Sequence, residues 1–245
     1  MSDYLYGLHA IQAVLEKTPE SVSELWVDKG RHDKRVSNIL DLADNAGITV
    51  HSVARHELET MVSDGQHQGV VAKASPPRVY SESELDDLLA SLTGEPFLLI
   101  LDGVTDPHNL GACLRSADAA GVDAIIAPKD RAASLTPVAI KVSSGASQTV
   151  PFVQVTNLAR CLRDLKERGI WLVGLDGMAE ENLFDRDLKG PLGIVMGAEG
   201  QGLRRLSKEH CDFLVKIPMV GSVESLNVSV ATGICLFEAL RQRKS

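Results

Sequence analysis

From residue 97 onward the chain alternates short apolar runs with helical segments, and this alternation restricts the fold more than any other feature of the sequence. Six runs have the length and composition of buried strands: 97–102, 123–127, 150–155, 170–175, 192–197 and 213–218. Strands separated by helices pair in parallel, and helices then cover both faces of the sheet. The sequence therefore predicts an α/β fold with a mainly parallel sheet, whose ligands bind beyond the carboxyl ends of the strands.

A smaller unit precedes this region. Its expected helices and strands lie, in chain order, at 8–15, 24–27, 36–46, 48–53 and 69–74. This mixture is typical of a small α/β domain. Residues 75–78, with two adjacent prolines, interrupt regular structure, and an acidic helix is predicted at 81–92. We therefore predict a small α/β domain at 1–75, a linker with an acidic helix at 76–95 and a larger domain at 96–245.

Composition and charge exclude several functional classes. The net charge of −8 argues against nucleic-acid binding through overall charge, so any RNA partner must meet a local basic patch. Four cysteines without a CxxC pair and seven histidines without an HExxH motif predict neither a disulfide framework nor a metal site. The apolar runs are too short to cross a bilayer, and the amino terminus lacks the features of a signal peptide. These features predict a cytoplasmic protein that does not enter the membrane.

The loop after the first strand of the larger domain leads into a helix that extends to Ala120. Asn109 is predicted to cap this helix, and small residues in the following turns allow another backbone to approach closely. Arg115 lies six residues further on, about 9 Å along the helix axis, and its long side chain can lean back toward the loop. The alternative is an ordinary surface ion pair with Asp118. Both interpretations of Arg115 fit the spacing.

A glycine-rich loop follows the strand at 192–197. Its sequence, Gly197-Ala198-Glu199-Gly200-Gln201-Gly202, does not match the dinucleotide fingerprint, because Glu199 occupies the position of the second glycine. Three glycines in six residues still indicate a backbone that turns tightly or lies close to a ligand. Glu199 either faces that ligand or stabilises the start of the next helix.

The third loop, at 217–227, precedes the last helix. Ser225 is predicted to cap that helix, whose free N–H groups favour an anionic group. The alternative is a catalytic serine. A serine hydrolase is not favoured, because the sequence contains no GxSxG motif.

Together the three loops resemble the ordered motifs of the SpoU/TrmH (SPOUT) family of RNA ribose 2′-O-methyltransferases. The matching segments are DPHNLGACLRSADAAG at 106–121, VMGAEGQGL at 195–203 and IPMVGSVESLNVSVATG at 217–233, with no departure at a motif position. Near the amino terminus, Tyr6-Gly7-Leu8-His9-Ala10 and His67-Gln68-Gly69 resemble the small RNA-binding domain of the family. The resemblance is closest to members that methylate a guanosine in the peptidyl-transferase P loop of 23S rRNA.

The resemblance implies a deep trefoil knot in the larger domain, which general topology rules do not suggest. It also implies a homodimer that uses S-adenosylmethionine as its cofactor. The cofactor contacts that it implies come from the backbone around Met196, Gly197, Ile217, Met219 and Leu226. The motif side chains that it implies for catalysis are those of Asn109, Arg115, Glu199, Ser225 and Asn227.

The implied chemistry needs no metal, because S-adenosylmethionine already carries an activated methyl group. Transfer needs in-line placement and a way to weaken the proton of the ribose hydroxyl. A guanidinium is always protonated in proteins, so Arg115 is expected to stabilise the developing alkoxide and anchor the target phosphate rather than act as a base. The group that accepts the proton stays open.

A local basic cluster is the expected RNA contact of the smaller domain. Lys29, Arg31, Lys34 and Arg35 lie within seven residues, with Asp33 among them. Further basic residues are Arg78 in the predicted linker and, after the second motif, Arg204, Arg205 and Lys208. A solvated loop is the alternative for such a cluster. Beside RNA-modifying motifs we expect an RNA contact, with selectivity coming from an unpaired nucleotide turned into the site.

Two other functions stay open. One is 2′-O-methylation of a tRNA or of another rRNA nucleotide. The other is a non-enzymatic ribosome-assembly protein with the same fold, although binding alone does not require Arg115 and Glu199 together.

Overall fold

The computed structural model describes residues 4–62 and 67–244. Its strands are β1 (Tyr4–Tyr6), β2 (Val22–Asp28), β3 (Thr49–Val53), β4 (Val70–Ala74), β5 (Val79–Tyr80), β6 (Phe97–Asp102), β7 (Ala124–Pro128), β8 (Phe152–Val155), β9 (Trp171–Leu175), β10 (Glu181–Asn182), β11 (Leu192–Gly197) and β12 (Phe213–Lys216). Its helices are α1 (Leu8–Lys17), α2 (Lys34–Asn45), α3 (Arg55–Met61), α4 (Glu82–Ser91), α5 (Pro107–Ala120), α6 (Pro137–Val142), α7 (Ala146–Thr149), α8 (Leu158–Glu167), α9 (Arg205–His210) and α10 (Val228–Arg243). Two short 3-10 helices lie at Pro19–Ser21 and Leu183–Asp185.

The chain forms two compact units. Unit 1 comprises Met1–Arg78 and Ser144–Thr149, and unit 2 comprises Val79–Ser143 and Val150–Ser245. Unit 1 has a four-stranded sheet in the order β1-β4-β2-β3, in which only the β2 and β3 pair is parallel among the described residues. Its α/β composition agrees with the sequence analysis, which missed the three-residue strand β1 and the short charged helix α3.

Both faces of the unit 1 sheet are covered by apolar contacts. Helices α1 and α2 pack on one face, where Ile11, Leu25 and Ile39 are fully buried. On the other face, Leu58 of α3 packs with Val71. The alternating directions of side chains along β4 allow one strand to serve both layers.

Unit 2 has an eight-stranded sheet in the order β10-β12-β9-β11-β6-β7-β8-β5, and each of its pairings is parallel. All six predicted strands are present, with ends that differ by at most two residues, so the predicted α/β class with a mainly parallel sheet is confirmed. Every residue of the two central strands, β6 and β11, is buried. Continuous apolar sequence in these strands therefore reflects coverage of both faces of the sheet.

Residues 79–91, which the sequence analysis interprets as part of a linker, belong to unit 2. Strand β5 pairs with β8 at the edge of the large sheet, and Leu85 of α4 is buried in the core of unit 2. The predicted acidic helix is present. Its carboxylates bind two arginines: Arg160 of α8 lies 2.9 Å from Glu82, and Arg168, the C-terminal cap of α8, lies 2.6 Å from Asp86. Apolar burial and these ion pairs hold the segment on the domain.

The strand order changes direction at the centre of the large sheet. The chain proceeds from β6 to β7 and β8 on one side, whereas β11, β9 and β12 lie on the other side. Ligands of parallel sheets bind beyond the carboxyl ends of strands at such a point. Asp102 and Gly197, the last residues of β6 and β11, are aligned in register, and the loops that follow them leave the sheet side by side.

Candidate functional site

The first loop places Asn109 in the opening turn of α5. The helix begins at Pro107, and its cap is Asp106, whose Oδ1 accepts a hydrogen bond of 3.0 Å from the His108 N–H. The prediction that Asn109 caps the helix is therefore wrong, because proline favours the first helical position and places the cap before it. Asn109 is 8% exposed, and its side chain turns toward the other two loops.

Close helix packing holds the start of α5 in place. A Cβ added at Gly111 would lie 2.6 Å from the Ala139 carbonyl oxygen of α6. Real Cβ atoms do not approach a backbone oxygen so closely. The predicted close backbone approach is therefore confirmed at Gly111.

The third loop ends at Asn227, which is the cap of α10. Its Oδ1 accepts hydrogen bonds from the Ser229 N–H at 2.9 Å and from the Ser229 hydroxyl at 2.6 Å. The prediction that Ser225 caps this helix is wrong, since the helix begins at Val228 and asparagine is a preferred cap. Ser225 is instead an exposed loop residue.

A chain of hydrogen bonds joins the three loops. Asn227 Nδ2 donates to Asn109 Oδ1 over 2.9 Å, and Asn109 Nδ2 donates to Glu199 Oε2 over 3.2 Å. The chain ends on a carboxylate, which is the stronger acceptor. Three of the five predicted catalytic residues therefore form one connected group.

The glycine-rich loop after β11 folds back on itself. Ala198 and Gly202 exchange two backbone hydrogen bonds, of 3.1 and 2.9 Å, and Gly200 has a φ of 76°. A Cβ added at Gly197 would lie 2.1 Å from the Gly202 carbonyl carbon, so residue 197 must be glycine in this turn. The predicted tight turn is confirmed, and it presents Glu199 at its tip.

A cavity of about 450 Å³ lies among the loops that follow β9, β11 and β12. All five residues predicted to contact a cofactor line it: Met196, Gly197, Ile217, Met219 and Leu226. Glu199 and Ser225 also line this larger cavity, as does Val228 at the start of α10. The structure thus gathers the predicted cofactor residues of two separate motifs around one space.

Sequence reasoning missed the contribution of the loop after β9. Asp176 and Lys208 line the larger cavity, with 2.6 Å between Oδ2 and Nζ. Burial raises the pKa of Asp176, but the hydrogen bonds from Lys208 and the Met178 N–H outweigh it and hold the pKa below its ordinary value. The signal was present, because β9 is another parallel strand whose carboxyl end borders the same edge of the sheet.

A second cavity, of about 410 Å³, lies on the β6 side of the glycine-rich loop. Its own lining includes Thr105, Asp106, Asn109, Arg131 and Arg204. The two cavities share a wall formed by Ala198, Glu199, Gln201, Gly202 and Val228. Glu199 therefore faces two adjoining spaces.

Arg115 lies apart from both cavities of its own chain. It is an exposed residue of α5 and lines neither space. Within residues 4–62 and 67–244 its side chain forms no hydrogen bond or ion pair, so the alternative pair with Asp118 is not formed. The guanidinium of Arg115 is free to meet a group from outside the chain.

The basic cluster of unit 1 divides into two kinds of residue. Lys29, Lys34 and Arg35 are exposed, the last two on the first turn of α2 rather than in a loop. Arg31 instead pairs with Asp33 at 2.6 Å and donates to the Gln68 carbonyl oxygen. Arg31 therefore joins the loop after β2 to the turn before β4.

That turn also connects the two amino-terminal motif segments. The Leu8 N–H donates to Gln68 Oε1 over 3.2 Å, and Gln68 has a φ of 51°. His67 is fully buried, and burial lowers its pKa below the ordinary value. The hydrogen bond between Leu8 and Gln68 thus joins the two segments within unit 1.

The four cysteines are free thiols, and burial raises the pKa of Cys113 to about 11. Across the described part of the chain, no three His, Cys, Asp or Glu side chains are grouped so that they could hold a metal ion. No helix of that part combines the length and hydropathy needed to span a membrane.

Two regions of the chain match known protein families. Residues 96–237 match the SpoU rRNA Methylase family. Residues 4–80 match a family described as RNA 2′-O ribose methyltransferase substrate binding. The first match contains all three loops of the candidate site.

Two relatives are named 23S rRNA (guanosine-2′-O-)-methyltransferase RlmB. The protein from Escherichia coli is 56% identical over 243 residues, which cover 99% of this chain and 100% of the relative. The protein from Shewanella oneidensis is 57% identical over 243 residues, which cover 99% of this chain and 98% of the relative.

A solved structure is similar over nearly the whole chain. The SpoU methyltransferase AviRb from Streptomyces viridochromogenes, in complex with the cofactor AdoMet, has a TM-score of 0.71 and 27% sequence identity. The similarity covers 98% of this chain and 89% of that one.

Proposed function

Since the chain belongs to the SpoU rRNA Methylase family, we propose that it transfers a methyl group from S-adenosylmethionine to the ribose 2′-hydroxyl of a guanosine in 23S rRNA. The observation that carries this function is the hydrogen-bond chain through Asn227, Asn109 and Glu199. It ends at the wall of the larger cavity, which holds the five residues expected to contact the cofactor. A binding protein would not need this arrangement.

The larger cavity fits S-adenosylmethionine in size and chemistry. Its volume of about 450 Å³ lies in the range of small-molecule sites. Met196, Ile217 and Leu226 supply apolar contacts, and Glu199 and Glu224 supply negative charge for a ligand with a positive sulfonium and ammonium group. The residues present are therefore those that such a cofactor needs.

S-adenosylmethionine, when bound, supplies a methyl group on a positively charged sulfur, and the protein supplies placement and electrostatics. Glu199 is held by Asn109, and Asn109 is held by Asn227, so the carboxylate has a fixed direction in the wall between the two cavities. Arg115 stabilises the negative charge that develops on the ribose oxygen, because its guanidinium stays protonated. Ser225 contributes a hydroxyl at the rim of the larger cavity.

The proposed active form is a homodimer. Val230 and Phe237, which are 52% and 48% exposed, lie seven residues apart and so on one face of α10. An exposed apolar face of this kind favours contact with a second copy. Arg115 lines neither cavity of its own chain, and a second copy can bring its Arg115 to the site.

The proposed topology of unit 2 is the trefoil knot expected from the motifs. Strand β12 lies beyond β9, whereas α10, which follows β12, packs against α5 and β11. The connecting residues 217–227 therefore run back across the carboxyl edge of the sheet. They line one cavity together with the loops after β9 and β11.

Unit 1 is proposed to select the RNA. It corresponds to the match over residues 4–80, and it exposes Lys29, Lys34 and Arg35. The proposed target is the guanosine of the peptidyl-transferase P loop, and the proposed location is the cytoplasm, where 23S rRNA is available. These three exposed cations, which have no ion pair among the residues that the structure describes, give the local positive patch that a chain of net charge −8 needs for RNA binding.

Methyl transfer from labelled S-adenosylmethionine tests the proposed function. Purified protein is incubated separately with unmethylated 23S rRNA and with bulk tRNA, and the 2′-O-methyl positions are mapped. We expect label on one guanosine of 23S rRNA and none with an Arg115→Ala variant. Label on tRNA would establish the alternative substrate, and RNA binding without transfer would establish an assembly protein.

A further inference from the structure

We propose that the second cavity is the binding site for the guanine base of the target nucleotide, with Asp106 contacting its N1 and N2 donors and Arg131 its O6 and N7 acceptors. The inference rests on the proposed function, because it assigns the space next to the methyl donor to the acceptor nucleotide. It names residues outside the five expected catalytic positions.

The position of the second cavity fits an acceptor nucleotide. It shares Glu199 and the neighbouring turn with the larger cavity, so ligands in the two spaces meet at that wall. Its volume of about 410 Å³ is sufficient for a base with its ribose. An RNA base read by a protein is usually unpaired and turned out of its stack, which such a side cavity requires.

Arg131 is held in the cavity wall in an uncommon backbone conformation. Its φ is +56°, a left-handed value that Gly, Asn and Asp adopt more readily than arginine. Its side chain is exposed and makes no hydrogen bond or ion pair with any residue that the structure describes. A strained arginine without a partner, placed in a cavity wall, is a candidate for binding a ligand.

Arg204 lies beside Arg131 and is held in position by Asp102. The carboxylate of Asp102, fully buried at the end of β6, accepts from the Arg204 N–H at 2.8 Å and lies 3.4 Å from its Nη1. Arg204 Nη2 lies 3.4 Å from the Arg131 carbonyl oxygen. A Cβ at Gly103 would come within 2.9 Å of the same Nη2, so glycine leaves the space that the guanidinium occupies. Arg204 is thus a positioning residue for the Arg131 segment.

Asp102 adds a second indication that this region is built for polar contacts. Its Oδ1 is buried and accepts no hydrogen bond from the described residues. A buried acceptor without a donor is destabilising, and the nearby guanidinium compensates for it only through charge. This arrangement holds Arg204, which lines the cavity, against the end of β6.

The charges around the cavity fit a guanine base better than a phosphate. Its surroundings contain the cations Arg131 and Arg204, but also the carboxylates of Asp102, Asp106 and Glu199. A phosphate would be repelled by the acidic groups. Guanine presents two donors on one edge and two acceptors on the next, so it needs both an acid and an arginine.

Asp106 has the geometry of an available acceptor. It is exposed, it lines the second cavity, and its Oδ1 caps α5 through the His108 N–H. Its other oxygen has no hydrogen bond among the described residues. The helix cap fixes the direction of the carboxylate, so its free side can receive the guanine edge.

Base analogues test separately the proposed contacts to the two edges of guanine. Synthetic RNA hairpins carry guanosine, inosine (which lacks the N2 amino group) or 7-deazaguanosine (which lacks the N7 acceptor) at the mapped target position. The variants are Asp106→Asn, which retains a good helix cap, and Arg131→Asn, which suits the left-handed backbone. Arg163→Gln on α8 is the matched control, because Arg163 is a surface arginine that pairs with Asp164 outside both cavities.

We expect Asp106→Asn to lower kcat/KM on guanosine by about tenfold to a hundredfold, and to remove the difference between guanosine and inosine that wild type shows. Arg131→Asn should likewise remove the difference between guanosine and 7-deazaguanosine. Arg163→Gln should retain both preferences. Equal losses on all three bases would overturn the proposal and indicate a phosphate contact or a purely structural role.

Affinity for the same hairpins, measured in the presence of S-adenosylhomocysteine, separates this proposal from the proposed function. A wild type that prefers guanosine in binding, and loses the preference in the two variants, supports the base site even without methyl transfer. A wild type that binds the three hairpins equally overturns it even if methyl transfer occurs.

Discussion

Asn227 Nδ2 donates a hydrogen bond to Asn109 Oδ1 over 2.9 Å, although the two residues are 118 positions apart in the sequence. The bond ties the cap of α10 to the first turn of α5. It also fixes the direction of the Asn109 amide, because its oxygen is occupied and its nitrogen must then face Glu199. The orientation of Glu199 is therefore decided by a residue in the last motif.

Replacing Asn109 tests the role of this chain of hydrogen bonds. We expect Asn109→Ala and Asn109→Asp each to lower kcat by about tenfold or more, because a hydrogen bond to a charged group contributes about 1.5–3 kcal/mol. Aspartate should be the more harmful, since it retains the acceptor for Asn227 but faces Glu199 with a second carboxylate. Steady-state kinetics on 23S rRNA measures this effect. An aspartate variant with wild-type kcat would show that Asn109 is not part of the site.

Arg115→Ala should reduce methyl transfer by about a hundredfold to a thousandfold, the range found for loss of a group that stabilises developing negative charge. The melting temperature should be unchanged, because the side chain has no partner among the described residues. Cofactor affinity, measured by titration, should also stay as in wild type. Turnover within a factor of a few of wild type would contradict the assignment.

A mixing experiment tests whether Arg115 acts across the proposed dimer. Arg115→Ala and Asn109→Ala proteins, each expected to be less active than wild type, are unfolded and refolded together. In a mixed dimer one site has both an intact Asn109 and an intact Arg115 from the other copy, so activity should return. A mixture no more active than the two variants refolded separately would place both residues in the same chain's site.

The basic cluster is best tested without Arg31. We expect the triple alanine variant of Lys29, Lys34 and Arg35 to bind RNA more weakly, and its log–log salt slope to fall by roughly 0.7 to 0.9 for each lost phosphate contact. Affinity for S-adenosylmethionine should not change. Superimposable salt titrations of variant and wild type would show that these three residues do not contact the RNA.

Arg31 requires a separate measurement because it has an internal role. It pairs with Asp33 and with the Gln68 carbonyl, so Arg31→Ala should lower the melting temperature, whereas the triple variant should not. A loss of RNA binding by Arg31→Ala would then follow from unit 1 losing stability rather than from one phosphate contact.

Acid should weaken the fold partly through Glu238 on α10. Hydrogen bonds from Arg241 and Gln242 hold its pKa at about 2, below its ordinary value of 4.5. A carboxyl with a lower pKa in the folded chain stabilises it above the unfolded pKa, and this contribution is lost as pH falls toward the folded pKa. We expect the free energy of unfolding, measured in urea, to fall between pH 4.5 and about 2 with a smaller slope in Glu238→Gln. Equal slopes would contradict this assignment.

The sequence predicted the strands of unit 2 because their burial on both faces produces continuous apolar runs such as Phe97–Asp102. It did not predict the two-residue strands β5 and β10, whose positions depend on pairing with β8 and β12. It also treated α4 as part of a linker, because the ion pairs that attach it to α8 join residues about eighty positions apart. The pattern of apolar residues along the sequence gives no information on contacts between such distant residues.

The motif residues were found from the sequence, but their local roles were not. Sequence preferences predict Asn109 and Ser225 as helix caps, whereas Asp106 and Asn227 occupy those positions. Cap preferences allow several residues within one turn, and tertiary contacts then select among them. The position of Asp176 after a predicted parallel strand indicates the correct edge of the sheet, but its pairing with Lys208 depends on the contact between β9 and α9, which no local pattern contains.

Unit 1 is built from two separate stretches of chain, and this has a consequence for synthesis. Gly145, beside the start of α7, lies against α1, where an added Cβ would come within 2.9 Å of the Ala10 Cβ, and Gln148 Nε2 donates to the Ser75 carbonyl oxygen. While the protein is being translated, Met1–Arg78 leaves the ribosome with this surface of α1 uncovered. It is completed only after Val79–Ser143 has been made, so unit 1, the proposed reader of the RNA, cannot mature before part of unit 2 exists.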